Sequence, residues 1–245
     1  MLRCPVMESP AVLITGASRG LGLALARELA SGGWHVLAGA RNPASAHALQ
    51  AASREATPGT IEILTLDVRD DASVRAAAAE AEGRVRALDV LVNNAGVLPE
   101  EGNEALEDLA LDCFEEAFAV NVVGVARVTR LLLPLLGRAR HPRVINVSSL
   151  MGSVSGKEDS AMYCYSASKA ALNMLTRAMA AELRPRGISV VAVTPGWVRT
   201  DMGGPKAPLA AEESARSLAA TIGRITEKES GHFLDRDGRT GVAAW

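Results

Sequence analysis

Tyr165 and Lys169 stand four apart in the run Tyr163-Cys164-Tyr165-Ser166-Ala167-Ser168-Lys169. On a helix that spacing puts both side chains on one face. Tyr163 is six residues from Lys169 and does not share the face. A phenol ionises near pH 10 in water, and a neighbouring ammonium stabilises the phenolate. Moving it near 7 takes about 3 pK units, or ~4 kcal/mol of differential stabilisation. A tyrosine so tuned serves as a general acid or base. The tetrad alone is a weak signal, because chance matches are common. Its weight comes from Ser148-Ser149, which follows an apolar run, and from a glycine-rich stretch near the start of the chain.

That stretch is Thr15-Gly16-Ala17-Ser18-Arg19-Gly20-Leu21-Gly22, directly after the apolar run 11–14. It reads as strand, tight turn and first helical turn. Backbone N–H groups and the positive end of a helix dipole then converge on one spot, which suits a pyrophosphate. The spacing is G-x-x-x-G-x-G, not the commoner G-x-G-x-x-G. After the next apolar run, Ala40 stands where an acidic residue would bind a ribose 2′-OH, and Arg41 follows. An arginine pairs bidentately with a 2′-phosphate, and Arg19 adds a second charge. Together they favour NADP(H) over NAD(H); singly, a solvated surface charge is the alternative for each. Asp67 can accept from an adenine amino group or cap the helix that starts near Asp71. In Asn93-Asn94-Ala95-Gly96, small and amide side chains let backbone approach a ribose or brace the sheet centre; a plain turn is the alternative.

These residues follow a series of apolar runs. The pattern predicts strands over 11–14, 35–40, 61–66, 88–92, 143–147 and 188–193. Helices are predicted over 21–30, 44–56, 71–86, 109–136 and 161–184. Pro134 is expected to kink or end the fourth. Strands alternating with helices imply right-handed crossovers. The fold expected is α/β, a single-domain Rossmann-like doubly wound parallel sheet of about seven strands with helices on both faces. Residues 1–10 read as an N-terminal extension and 11–245 as one domain. Ligands in such sheets lie beyond the carboxyl ends of the strands.

Bulk properties narrow the class. The 245 residues carry a formal net charge of −2, which argues against nucleic acid or a polybasic membrane contact. Residues 1–10 have no apolar core of a signal peptide. The apolar stretch 117–136 contains Asn121, Arg127 and Arg130 and reads as a buried helix, not a membrane span. Cys4, Cys113 and Cys164 show no metal spacing and no disulfide framework, so a reducing, cytoplasmic location is expected. His35, His47, His141 and His232 are dispersed, and no metal site is expected.

The ordered set Thr15-Gly16-x-x-x-Gly20-x-Gly22, Asn93-Asn94-Ala95-Gly96, Asn121, Ser149, Tyr165-x-x-x-Lys169 and Pro195-Gly196 resembles the short-chain dehydrogenase/reductase family from about Val12 to the C-terminus. The resemblance implies that Tyr165 donates the proton to a substrate carbonyl and that Ser149 hydrogen-bonds the reacting oxygen. Lys169 would hold the nicotinamide ribose and lower the Tyr165 pKa. Asn121 would shape its helix and hold a relay water, and Thr200 would lie near the nicotinamide carboxamide. It also implies NADP(H) contacts from Ser18, Leu21, Val68, Pro195, Gly196 and Val198. The stretches Met162–Met174 and Pro195–Gly204 are similar to the sniffer-type carbonyl reductase and C-factor branch. The fifteen residues between Ser149 and Tyr165 fit that branch. Ser153 is the next candidate after Ser149, and Ser148 is expected to be structural.

A substrate lid is expected near 200–224, hinged at Gly203-Gly204. Its Ala207, Pro208, Leu209 and Ala210 suit a small uncharged or moderately apolar carbonyl substrate. Cys164 beside Tyr165 is expected to fill space, with oxidative inhibition a minor alternative. Trp245 reads as an anchor against the domain or a partner subunit, and a homodimer or homotetramer is in keeping with the family. The function expected is NADPH-dependent reduction of a ketone or aldehyde. The alternative is a dinucleotide-binding signalling or sensor protein of the C-factor kind with incidental turnover.

Overall fold

Alternation along β1 (Ala11–Ile14) already shows why the sheet is covered twice. Val12 and Ile14 pack into one apolar cluster, and Ala11 and Leu13 into another. Successive strand residues point to opposite faces, so four apolar residues in a row serve two layers. The computed structural model describes residues 9–100, 105–159, 161–241 and 245. The remaining strands are β2 (His35–Ala40), β3 (Thr60–Thr65), β4 (Val90–Asn93), β5 (Arg143–Val147), β6 (Ser189–Val193) and β7 (Phe233–Leu234). All pair in parallel, in the order β3-β2-β1-β4-β5-β6-β7.

One face carries α1 (Gly20–Ser31), α2 (His47–Glu55) and α7 (Ala211–Arg224), through Leu25, Leu29, Leu49, Leu218 and Ile222. The other carries α3 (Asp71–Arg84), α5 (Val125–Leu136) and α6 (Tyr163–Leu183), through Val74, Val128, Leu132 and Leu183. Each such leucine or isoleucine removed from water stabilises the fold by roughly 1.5–3 kcal/mol. The strand order turns back between β1 and β4. Their carboxyl ends therefore open a crevice, and both are followed by the expected ligand-binding loops.

Several sequence boundaries shift for physical reasons. The segment 109–136 is not one α-helix. It comprises α4 (Asp112–Phe118), a π-helical turn (Ala119–Gly124) and α5. Gly124 sits there so close to Val68 that a Cβ would lie 2.9 Å from Val68 Cγ2. The run Asp112–Leu136 is long and apolar enough to cross a membrane, but half of its most apolar window is buried inside the protein. Pro134 stands in the last turn of α5, which ends at Leu136 and is followed by Gly137, whose N–H reaches the Leu133 carbonyl at 3.0 Å. Strand β7, two residues long, is too short for a period-2 pattern to show. Of the segment expected as a lid, 211–224 forms α7, packed on α1 with Ala215, Leu218 and Ile222 buried. Of the rest, Thr200, Asp201, Met202 and Gly203 line the crevice.

Candidate active site

A cleft of about 580 Å³ runs along the carboxyl ends of the strands. Its volume lies in the range of small-molecule and cofactor sites. At one end lie Gly16, Ser18, Arg19, Gly20, Leu21, Gly22 and Arg41. Asp67, Val68, Asn94, Ala95 and Gly96 form the middle. Ser149, Tyr165, Lys169, Pro195, Gly196, Val198 and Thr200 line the cleft too, Thr200 lying against Gly20. One sequence candidate is absent from the cleft wall: Asn121 lies behind it, 1% exposed.

The glycines are fixed by close approach. Gly16 has φ +66°, and a Cβ there would lie 2.8 Å from Ala95 Cα. A Cβ on Gly22 would lie 2.5 Å from both Asn94 Nδ2 and the Gly16 carbonyl oxygen. The turn is thus folded against the loop after β4, leaving its backbone open to the cleft. Asn94 braces that contact by donating to the carbonyls of Thr15 at 2.9 Å and Gly16 at 3.1 Å. Thr15 Oγ1 accepts from the amides of Asn94 and Ala95. The open turn at the start of α1, with Arg41 beyond it, fits a dinucleotide pyrophosphate and a 2′-phosphate.

Asp67 does not cap α3. Asp70 does, accepting from the Ala72 amide at 3.0 Å, because it is the residue that directly precedes the helix. The Arg69 side chain hydrogen-bonds Asp67 and, with the charge of Arg41, holds its carboxyl below the usual carboxylate range. Arg19 pairs with Asp201 of the overhanging segment at 2.6 Å, in the open, where such a pair contributes little.

At the other end, helix α6 brings Tyr165 and Lys169 together as their spacing requires. Lys169 Nζ lies over the Tyr165 ring, 5.5 Å from its centroid, and donates to the Val147 carbonyl at 2.8 Å. The Ser149 hydroxyl accepts from the Met151 amide at 3.2 Å and faces the Tyr165 phenol. The electrostatics correct one expectation. Burial pushes the Tyr165 phenol up to about 12, and the Ser149 contact only partly opposes it. Burial also pulls Lys169 down to about 8. An ammonium above the ring face in a dry site is itself destabilised, so the protein alone does not lower the phenol.

The Ser149 loop is seated by Gly152, where a Cβ would come within 2.6 Å of the Lys169 backbone. Ser148 is structural, donating to Asn173 Oδ1 at 2.6 Å, and Asn173 donates to the Gly152 carbonyl. Ser153 accepts from the Gly156 amide. The Asn121 amide is fully engaged: it accepts from the Val97 N–H, and donates to the Val97 carbonyl and to Ser168 Oγ. Ser168 in turn donates to the Tyr165 carbonyl at 2.7 Å. The π-helical turn at Asn121 widens the helix where this network enters, a common use of such turns.

Two features here have no counterpart in the sequence expectations. Cys113 of α4 and Cys164 of α6 form a disulfide, with Cα atoms 5.9 Å apart, a separation that suits one. They stand 51 positions apart, so spacing carried no signal. The expectation of unpaired cysteines is overturned for this pair, and the reducing-compartment argument loses that support. Cys4 lies outside the described residues. Glu100, 8% exposed, places its carboxylate beside the disulfide and against the start of α6. The sequence carried no signal for this, because the helix start predicted at 161 is directly preceded by Ser160, an ordinary cap residue.

Over the cleft, Trp197 and Met202 are more than one-third exposed and lie near Leu98, Leu150, Met151 and Met162. Trp197 is held by its Nε1–H donating to the Gly203 carbonyl at 2.8 Å. Trp245 stacks at 5.7 Å on Phe233 and lies under Arg177, so it anchors against the domain itself.

The short chain dehydrogenase family profile matches residues 10–209. The C-signal of Myxococcus xanthus is 43% identical over 152 residues, spanning 62% of this chain and 90% of that protein. The carbonyl reductase Sniffer of D. melanogaster superposes with a TM-score of 0.90 at 33% identity, covering 97% of this chain and 100% of that one. An NADPH-bound carbonyl reductase from chicken fatty liver superposes with a TM-score of 0.87 at 32% identity, covering 97% and 99%.

Proposed function

The chain belongs to the short-chain dehydrogenase family, an oxidoreductase family, and we propose that its reaction is the NADPH-dependent reduction of a ketone or aldehyde to an alcohol. One observation carries this reading: a single cleft joins the glycine turn and Arg41 to Ser149, Tyr165 and Lys169. Bound NADPH would supply the hydride, which the carbonyl carbon accepts.

The residues do the rest. Tyr165, its phenol pushed up by burial, is protonated at neutral pH and donates that proton to the carbonyl oxygen. Ser149, facing the Tyr165 phenol, orients the same oxygen. Lys169 stabilises the phenolate left behind; its charge acts strongly because it is buried. Asn121 holds the 97 segment against α6 through Ser168, and we assign it a place in the relay that returns a proton to Tyr165. Arg41 takes the 2′-phosphate. Arg19 can exchange its exposed Asp201 partner for the same phosphate. Leu98, Leu150, Met162, Trp197 and Met202 favour an uncharged, apolar substrate.

The test is turnover of a panel of ketones and aldehydes with each cofactor. NADPH-linked reduction, with NADH at least tenfold less efficient, is expected. Equal use of NADH would remove the role given to Arg41. The similarity to the C-signal favours a second reading, a dinucleotide-binding signalling protein. Tight NADPH binding with no turnover of any carbonyl would select it.

A further inference from the structure

Helix α6 carries Tyr165 in its first turn, yet it begins without a cap of its own. The preceding residue, Met162, has no side-chain acceptor and sits at φ 56°, ψ 59°, the left-handed region. It is the non-glycine residue with positive φ among the described residues. A bulky residue held there costs of order 1–3 kcal/mol and persists only where its surroundings over-determine it. The first amides of a helix have no intrahelical partner. Here the amides of Cys164 and Tyr165 find theirs in one buried carboxylate: Glu100 Oε2 accepts from Cys164 at 2.9 Å, and Glu100 Oε1 accepts from Tyr165 at 2.6 Å.

We propose that Glu100 is a positioning residue for the reaction: it caps α6 from another part of the chain and thereby sets Tyr165 against the loop that follows β4. This rests on the reading of Tyr165 as the proton donor. The carboxylate binds the amide of Tyr165 itself, so its hold acts on the backbone that carries the phenol. Its negative charge faces the positive end of a 21-residue helix, which favours the contact further. Glu100 also closes a loop of contacts. Three residues upstream, Val97 is clamped by Asn121, and Asn121 reaches Ser168, which donates to the Tyr165 carbonyl. The segment from Val97 to Glu100 is thus tied to both the amide and the carbonyl of Tyr165. That segment continues Ala95 and Gly96 of the cleft wall. The position of the phenol relative to the dinucleotide end of the cleft is therefore set through Glu100 and not by α6 alone.

The experiment compares the full chain with Glu100→Gln and Glu100→Ala. It measures kcat, KM for NADPH, NADPH binding by fluorescence, and hydrogen exchange over residues 162–168. A misplacement of the reacting group by about 1 Å can cost ~100-fold in rate. Glu100→Ala is expected to lower kcat about 10- to 100-fold, leave NADPH binding within twofold and speed exchange at the Cys164 and Tyr165 amides. Glu100→Gln keeps an acceptor and is expected to recover most of kcat. An alanine variant with kcat within twofold of the parent overturns the proposal. So does parallel loss of kcat and NADPH affinity, which marks a purely structural role. A parent chain with no NADPH-linked turnover overturns the proposed reaction instead. The exchange measurement then still decides whether Glu100 holds the helix start.

Discussion

The two halves of the sheet solve different problems with different materials. Before Asn93, the described chain buries a single polar side chain, Thr15. From Asn93 onward it buries many, among them Glu100, Asn121, Asn146, Ser168, Lys169, Asn173 and Thr176. The β1–β3 half presents backbone, glycine and exposed arginine to the cleft. The β4–β6 half brings Ser149, from the loop after β5, and Lys169, of α6, to the Tyr165 ring. Buried polar groups are costly unless each finds a partner, and here the partners are long-range: Asn93 with Thr129 and Asn146, and Asn146 with Thr176. A pyrophosphate needs only the N–H groups that a tight turn supplies. A proton donor needs a fixed position and environment, which the network provides.

That contrast can be broken by kinetics that separate binding from chemistry. The largest effect is expected from Tyr165→Phe, which keeps the ring and removes the proton. A fall in kcat of about 10³-fold is expected, with NADPH affinity unchanged. Retained turnover, followed by NADPH oxidation, would remove Tyr165 from the reaction.

Lys169→Met should follow, with kcat about 100-fold lower at pH 7. The parent's kcat should itself fall as pH rises through about 8, where Lys169 loses its charge. Stability should move the other way. Lys169 is held at about 8 in the fold against 10.5 when free. The unfolded chain therefore binds more protons between those values, and stability rises with pH across that window. The cost of burying the ammonium is fully present below about 8, so Lys169→Met should melt higher than the parent at neutral pH and lose that advantage above 10.5. Thermal melts at pH 7 and 10 read the sign directly.

The smallest effect tests the other half. Arg41→Ala should raise the KM for NADPH about tenfold, near 1.4 kcal/mol, with kcat and the KM for NADH unchanged. A drop in kcat would show that the two halves are not separable in this way.

Much of this division was legible beforehand. The glycine turn, Arg41 and the strands 35–40 and 143–147 depend on contiguous residues, and contiguous residues are what a sequence displays. Tyr165 and Lys169 were legible for the same reason, being one helical turn apart. Glu100, the Cys113–Cys164 bond and the Asn121–Ser168 link were not. Each joins residues 47 to 65 positions apart. The phenol's ionisation in the protein alone was not legible, because burial is a property of everything packed around a group, whereas the Lys169 charge is visible four residues away.

The sequence by itself determined the parallel α/β architecture, the glycine turn between β1 and α1 and the identity of the tyrosine that shares a helix face with a lysine. Those follow from periodicity, glycine's backbone freedom and the helical repeat, all of which act over a few residues. Tertiary structure alone decided that α6 is capped from outside and that desolvation outweighs charge at Tyr165. Those are contests between partners distant in the chain, and only the packed fold brings the contestants together.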